Sequence, residues 1–190
     1  MNSESVFIIP GIIVLIILIW AIANYNALVR IRQQVRESWS GIDTELKRRY
    51  DLIPNLVATV KGYTAHENEV LTQVTEARAR ALASTGSVTE QAADEKQLVK
   101  GVRGLLATVE KYPDLKASQN FLELQKELVN TEDRIQAARR FFNANVRDLN
   151  TRIEVFPSNI IASLFSFTPE SFFEVESAVM KDPVDVSFSG

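Results

Sequence analysis

The side chains best suited to chemistry are thinly spread through this 190-residue chain. Its one histidine, His66, precedes Glu67 in the run HENEV. That run lacks the second histidine, one helical turn on, with which a zinc-protease helix grips its metal. A lone imidazole in such a place is more often a cap or surface group. With no cysteine, thiol nucleophiles, thiolate metal sites and disulfides are excluded, and redox chemistry says nothing of the compartment. A glycine-rich phosphate loop is likewise missing. Glu110, Glu123, Glu127, Glu132 and Asp133 are numerous enough for a carboxylate metal site in a bundle core, but the Glu-x-x-His pairs such sites use are absent. Solvated helix faces account for these acids better. The expectation is therefore no catalytic, metal-binding or cofactor-binding residue, no cofactor and no enzymatic activity.

One polar constellation is less bland. Lys47-Arg48-Arg49-Tyr50-Asp51 interrupts an apolar row just ahead of Pro54 and Asn55, and Arg139, Arg140, Asn143, Asn145, Arg147, Asp148 and Asn150 decorate a later helical stretch. If the two stretches are antiparallel neighbours, their Arg and Asp or Glu side chains form a buried or interfacial ion network that fixes register. Two ordinary charged faces explain the same residues and are preferred, because exposed ion pairs are common and weak. Arg48, Arg49, Tyr50, Asp51, Pro54, Asn55, Arg139, Arg140 and Asn143 are the candidates for a register or interaction cluster against that preferred reading, and not for an active site.

The elements that must position these residues begin with an uncharged run, Val6 to Ala23. At helical rise it covers about 27 Å and just spans a hydrocarbon core. Val6, Phe7, Ile12, Leu15 and Leu18 form the apolar body of this anchor, and Trp20 and Tyr25 stand where an interfacial aromatic belt falls. A cleaved signal peptide is the rival reading, given Ala21-Ile22-Ala23. The flank before the run carries Glu4 and no Lys or Arg, however, and the run is long for a signal. Arg30, Arg32 and Arg36 follow the run and nothing basic precedes it. The expectation is a single-pass protein of the bacterial cytoplasmic (inner) membrane, N-terminus outside and main domain in the cytoplasm. A formal charge of -3 gives no basic footprint for nucleic acid.

Apolar residues then recur in steps of three and four, as along the buried stripe of a helix. They include Leu28, Ile31, Val35, Trp39, Ile42, Leu46, Ile53, Leu56, Val57 and Val60. The membrane helix is expected to continue to about Tyr63, bent near Tyr50 by Pro54. A second helix spans about Glu67–Ser84 with Val70, Val74, Ala77 and Ala81 inward. A third runs from Thr89 to Tyr112 with Leu98, Val102, Leu105, Leu106 and Val109 inward, and a fourth from Phe121 to Ile153. The fold class is all-α: a transmembrane helix followed by an up-down four-helix bundle with long helices. A three-helix arrangement, joining helices two and three, is the alternative, disfavoured by the turn residues Thr85-Gly86-Ser87. The divisions are 1–25 (anchor), 26–156 (bundle) and 157–190 (apolar, aromatic segment and loose tail). VFPSNIIASLFSFTP, from Val155, carries no charge. So apolar a stretch must be covered by bundle, neighbour or lipid, and Phe156, Ile160, Ile161, Leu164, Phe165, Phe167, Phe172 and Phe173 are its oligomer or membrane contacts.

The runs WSGIDTELKRRYDLIPNLVATVKGYTAHE and EKYPDLKASQNFLELQKELVNTEDRIQAARRFFNANVRDLNTRIEVFPSNIIA, with the anchor ahead of them, closely resemble the LemA family over nearly the whole chain. Phe142 stands where many relatives have tyrosine, which removes a hydroxyl available for acid-base work. The resemblance implies a four-helix bundle behind one membrane span, in a family without an established enzymatic activity and linked to membrane organisation and the building of internal membranes. The function expected is a membrane-anchored structural or scaffolding protein that self-assembles at the cytoplasmic membrane face. The alternative is an adaptor presenting a membrane protease or envelope-stress partner. The partners expected are the lipid bilayer, copies of the chain and a membrane protein, and not nucleic acid.

Overall fold

The computed structural model describes residues 3–64, 67–175 and 177–178, with the side chains of residues 3–8 set aside. His66 and the tail from Asp182 to Gly190 lie outside the described residues, as do the side chains of Val6 and Phe7. The described residues are helical or irregular, with no strand among them. The elements are α1 (Ser3–Lys61), α2 (Asn68–Ala83), α3 (Val88–Val109), α4 (Pro113–Lys116), α5 (Gln119–Glu154) and α6 (Ser158–Leu164).

Helix α1 is continuous for 59 residues, roughly 90 Å at helical rise. Its described part from Ile9 is the one helix among the described residues long and apolar enough to cross a membrane. Ile9, Ile12 to Ile19 and Ile22 are exposed on all sides, whereas from Leu28 onward one stripe of the same helix is buried. A helix apolar all round needs an apolar surrounding, and one apolar on a single stripe needs only a packing partner. The change of environment therefore falls between Ile22 and Leu28. Pro54 does not end the helix, although its ring removes the donor that the Tyr50 carbonyl would otherwise meet.

Helices α2 and α3 are separate and pack on each other. Gly101 permits their close approach, since a Cβ there would stand 3.2 Å from the Val74 Cα. A capping box opens α3: the Ser87 hydroxyl accepts from the Glu90 amide, and the Glu90 carboxylate accepts from the Ser87 amide at 2.7 Å. The inward face of α2 carries Leu71, Val74, Ala77 and Ala81; Val70, expected there, is only half-buried. The short α4 falls between the third and fourth expected helices. Pro113 is its first residue, where a missing amide donor costs least.

The chain divides into two compact units: Met1–Ser40 with Arg140–Phe172, and Gly41–Arg139 with Phe173–Gly190. Leu28, Val35, Phe142, Val146, Leu149, Ile161, Ala162 and Phe167 are buried in the first. Phe142 meets Trp39 with ring centroids 5.3 Å apart. In the second, the buried residues are Ile42, Leu46, Ile53, Leu56 and Val60 of α1, the inner faces of α2 and α3, Leu115, Phe121, Leu128 and Ile135, and Phe173, Val175 and Ala178 of a C-terminal strap.

Candidate functional site

The interior of the second unit holds a charged network within its apolar core. Arg49 is completely buried, and so is Glu95; Glu132 is 2% exposed. Helix α1 delivers Arg49 and Tyr50, α3 delivers Gln91 and Glu95, and α5 delivers Glu132. The guanidinium spans the two carboxylates, donating through Nη1 to Glu132 Oε1 at 2.8 Å and through Nη2 to Glu95 Oε2. The Tyr50 hydroxyl donates to Glu95 Oε1, and Gln91 Nε2 donates to the same oxygen at 3.2 Å and to the Tyr50 hydroxyl at 3.1 Å. The Ala178 amide of the strap donates to Glu132 Oε2 at 3.1 Å. Each carboxylate oxygen therefore has a donor, which is what a buried charge needs to persist. Arg49 Nε alone among these groups is buried without a partner.

Burial alone would push the Arg49 guanidinium down, but Glu95 and Glu132 outweigh it and hold it above its ordinary value. The Tyr50 phenol is pushed well above its ordinary range, first by burial and then by the negative charge of Glu95. Arg49 stays charged and Tyr50 stays protonated through any physiological pH. The two Arg49 Nη atoms, the Tyr50 hydroxyl and all four carboxylate oxygens are thus engaged across three helices and the strap, an arrangement that fixes the register of these elements.

The strap is tied down through its backbone. Arg103 of α3 donates to the Ser177 carbonyl through Nε at 3.1 Å and Nη2 at 2.6 Å, and Arg139 Nη1 donates to the Val175 carbonyl. Arg78 of α2 donates through Nε to the Tyr50 carbonyl at 2.6 Å, the group that Pro54 leaves without a helical partner.

Of the register cluster, Arg49 and Tyr50 are in the buried network and Arg139 of α5 holds the strap; Arg48, Asp51, Pro54, Asn55 and Arg140 are exposed and Asn143 is half-buried. The preference for ordinary charged faces does not hold for Arg49. The solvated-face account fails for Glu132 too, because that residue lies in the row of Leu128 and Ile135 rather than beside Glu123 and Glu127, which are exposed. Glu95, Gln91, Arg78 and Arg103 were not anticipated. A signal for Glu95 does exist: it continues the row Leu105, Val102 and Leu98 backward by one step of three, a charge in an apolar lane.

In the first unit, Tyr25 of α1 meets Phe165 with ring centroids 4.6 Å apart and Phe167 at 6.0 Å, and the Arg32 guanidinium lies 4.8 Å over the Phe167 ring. The Asn150 side chain both donates to and accepts from the Glu170 backbone at 2.9 Å. Ile161, Phe167 and Phe173, expected at an oligomer or membrane contact, are instead taken into the chain's own packing, while Phe156, Ile160, Leu164, Phe165 and Phe172 remain exposed. Of the expected anchor residues, Ile12, Leu15, Leu18 and Tyr25 are exposed and Trp20 is half-buried.

Residues 38–188 match the model of the LemA family. The chain is similar to Protein LemA of Metamycoplasma hominis, 28% identical over 167 residues that cover 87% of this chain and 75% of that one. It is also similar to Magnetosome protein MamQ of Magnetospirillum gryphiswaldense, at 25% over 180 residues, and to Magnetosome protein MamQ 2 of Paramagnetospirillum magneticum, at 24%. Both alignments cover 82% of this chain and 66% of the magnetosome protein, so the chain spans just under two thirds of their length.

Proposed function

The chain belongs to the LemA family, and from that premise we propose that it is a membrane-anchored structural protein that assembles laterally with its own copies and serves membrane organisation rather than a chemical reaction. The observation that carries this reading is α1, which passes from an all-round apolar stretch into the folded body without a break. A span joined to its domain by helix transmits position and orientation, which a flexible linker would not.

The proposed arrangement is up-down, with α1 leaving the membrane, α2 and α3 as a hairpin and α5 returning. Arg30 and Arg36, exposed just beyond the span, and Arg32 favour the cytoplasm for the domain. Anchoring confines copies to a plane and raises their effective concentration, so modest contacts suffice for assembly. The non-catalytic reading draws on the buried network, whose most chemically able groups are engaged with one another.

Because the chain has no cysteine, single cysteines report cleanly on topology and proximity. In intact cells, Ser5→Cys should react with a membrane-impermeant maleimide and Leu122→Cys should not; the reverse pattern would invert the orientation. In the same membranes, a short bis-maleimide should link exposed Leu82→Cys chains into dimers and higher species. Cross-links only to other proteins would shift the reading to an adaptor for a membrane partner.

A further inference from the structure

We propose that α6 and the residues flanking it form a second lipid contact, with Phe156, Ile160, Leu164 and Phe165 entering the headgroup and acyl boundary beside the point where α1 leaves the bilayer. This rests on the reading of α1 as a membrane span. Phe156 is 75% exposed, Leu164 72%, Ile160 54% and Phe165 52%. They belong to one uncharged segment, and such a cluster is a contact surface rather than scattered exposure.

The position of the cluster identifies its partner. Tyr25, which the Phe165 ring touches at 4.6 Å, lies two residues beyond the apolar run, about 3 Å of helix rise. Phe167 reaches from Tyr25 to Arg32, and Arg32 is seven residues further along α1, about 10 Å farther from the span. The chain from Phe165 to Phe167 thus leads away from the end of the span. Exposed Arg30, about one and a half helical turns past Tyr25, falls at the depth of anionic headgroups.

The local fold holds the face outward. Ile161 and Ala162 are buried, which seats α6 on the unit and leaves Ile160 and Leu164, one turn apart, pointing away. The helix closes in a Schellman motif: the Phe167 amide donates to the Ala162 carbonyl at 2.9 Å, the Ser166 amide to the Ser163 carbonyl at 3.2 Å, and Ser166 has φ 53°. That turn sends Phe167 inward directly after Phe165 faces out. Two attachments, the span and this face, fix the rotation of α1 about its axis, which a span alone leaves free.

The test uses the full chain in vesicles of phosphatidylcholine and phosphatidylglycerol, with an environment-sensitive fluorophore on Ile160→Cys or Leu164→Cys, on Leu122→Cys as an exposed reference, and on Ile16→Cys in the span. The fluorophores at 160 and 164 should be blue-shifted, quenched by lipids carrying a nitroxide near the headgroup, and several-fold less sensitive to aqueous iodide than the one at 122, at every protein-to-lipid ratio. Iodide access at 160 and 164 equal to that at 122, with 16 quenched only by deep nitroxides, would overturn the proposal and leave the anchor standing. Protection that disappears on dilution with lipid would assign the face to a second copy and likewise overturn it. A fluorophore at 16 open to iodide would bring down both readings.

Discussion

Without its guanidinium, Arg49 would leave the Glu95 and Glu132 carboxylates buried without a counter-charge, and that unpaired state dominates the energetics of the site. Arg49→Met should therefore destabilise the protein by about 3–5 kcal/mol, read as a fall in the thermal midpoint of the helical signal. Replacing the set together, Arg49→Met with Glu95→Leu and Glu132→Leu, should recover most of that loss, because apolar side chains of similar size need no compensation. Tyr50 adds a pH dependence. Its folded pKa lies above the value of 10.0 for a free phenol, so above that pH the unfolded chain releases a proton that the folded chain retains. Stability from this group is fully present below about pH 10 and falls above it by up to about 1.4 kcal/mol per pH unit. Urea unfolding at successive alkaline pH values should show this slope in the parent chain and a shallower one in Tyr50→Phe.

At the scale of elements, one irregularity is repaired from outside the helix that contains it. Pro54 frees the Tyr50 carbonyl, and Arg78 of α2 supplies the donor. Arg78→Ala should cost about 1–3 kcal/mol in the parent chain and distinctly less when Pro54→Ala restores the helical amide, a coupling that a double-mutant cycle on urea midpoints measures. Ser166 holds a left-handed backbone that glycine adopts without strain. Ser166→Gly should stabilise the end of α6 by about 1 kcal/mol, seen as a higher thermal midpoint. The helices themselves were legible: steps of three and four gave α2, α3 and α5 to within a few residues and most of the buried stripe of α1, because burial on one face imposes that period. The site was only half legible. Arg49 and Tyr50 stand out as polar interruptions of an apolar row, whereas Glu95 is a single charge one step beyond the apolar row that starts at Leu98. Their pairing is a tertiary fact that spacing along one helix does not encode. The strap is illegible for a similar reason: Phe173, Val175 and Ala178 have no helical period, and arginine side chains from α3 and α5 hold their backbone.

At the scale of the molecule, stability and function draw on different surfaces. The interior of the second unit is locked by charge and its strap, while runs of exposed apolar side chains lie along the first part of α1 and on the outer face of α6, with Leu82, Leu122 and Phe141 exposed singly elsewhere. In the function proposed above, interaction capacity lies at the membrane and in lateral contacts, and planar confinement multiplies weak contacts between copies. The most direct measurement is the number of copies per particle of fluorescently labelled full chain in lipid vesicles, counted by stepwise photobleaching over a range of protein-to-lipid ratios. The account predicts assemblies of two or more copies well above chance co-occupancy, growing with surface density; single copies throughout, in protein that retains its helical signal, would contradict it.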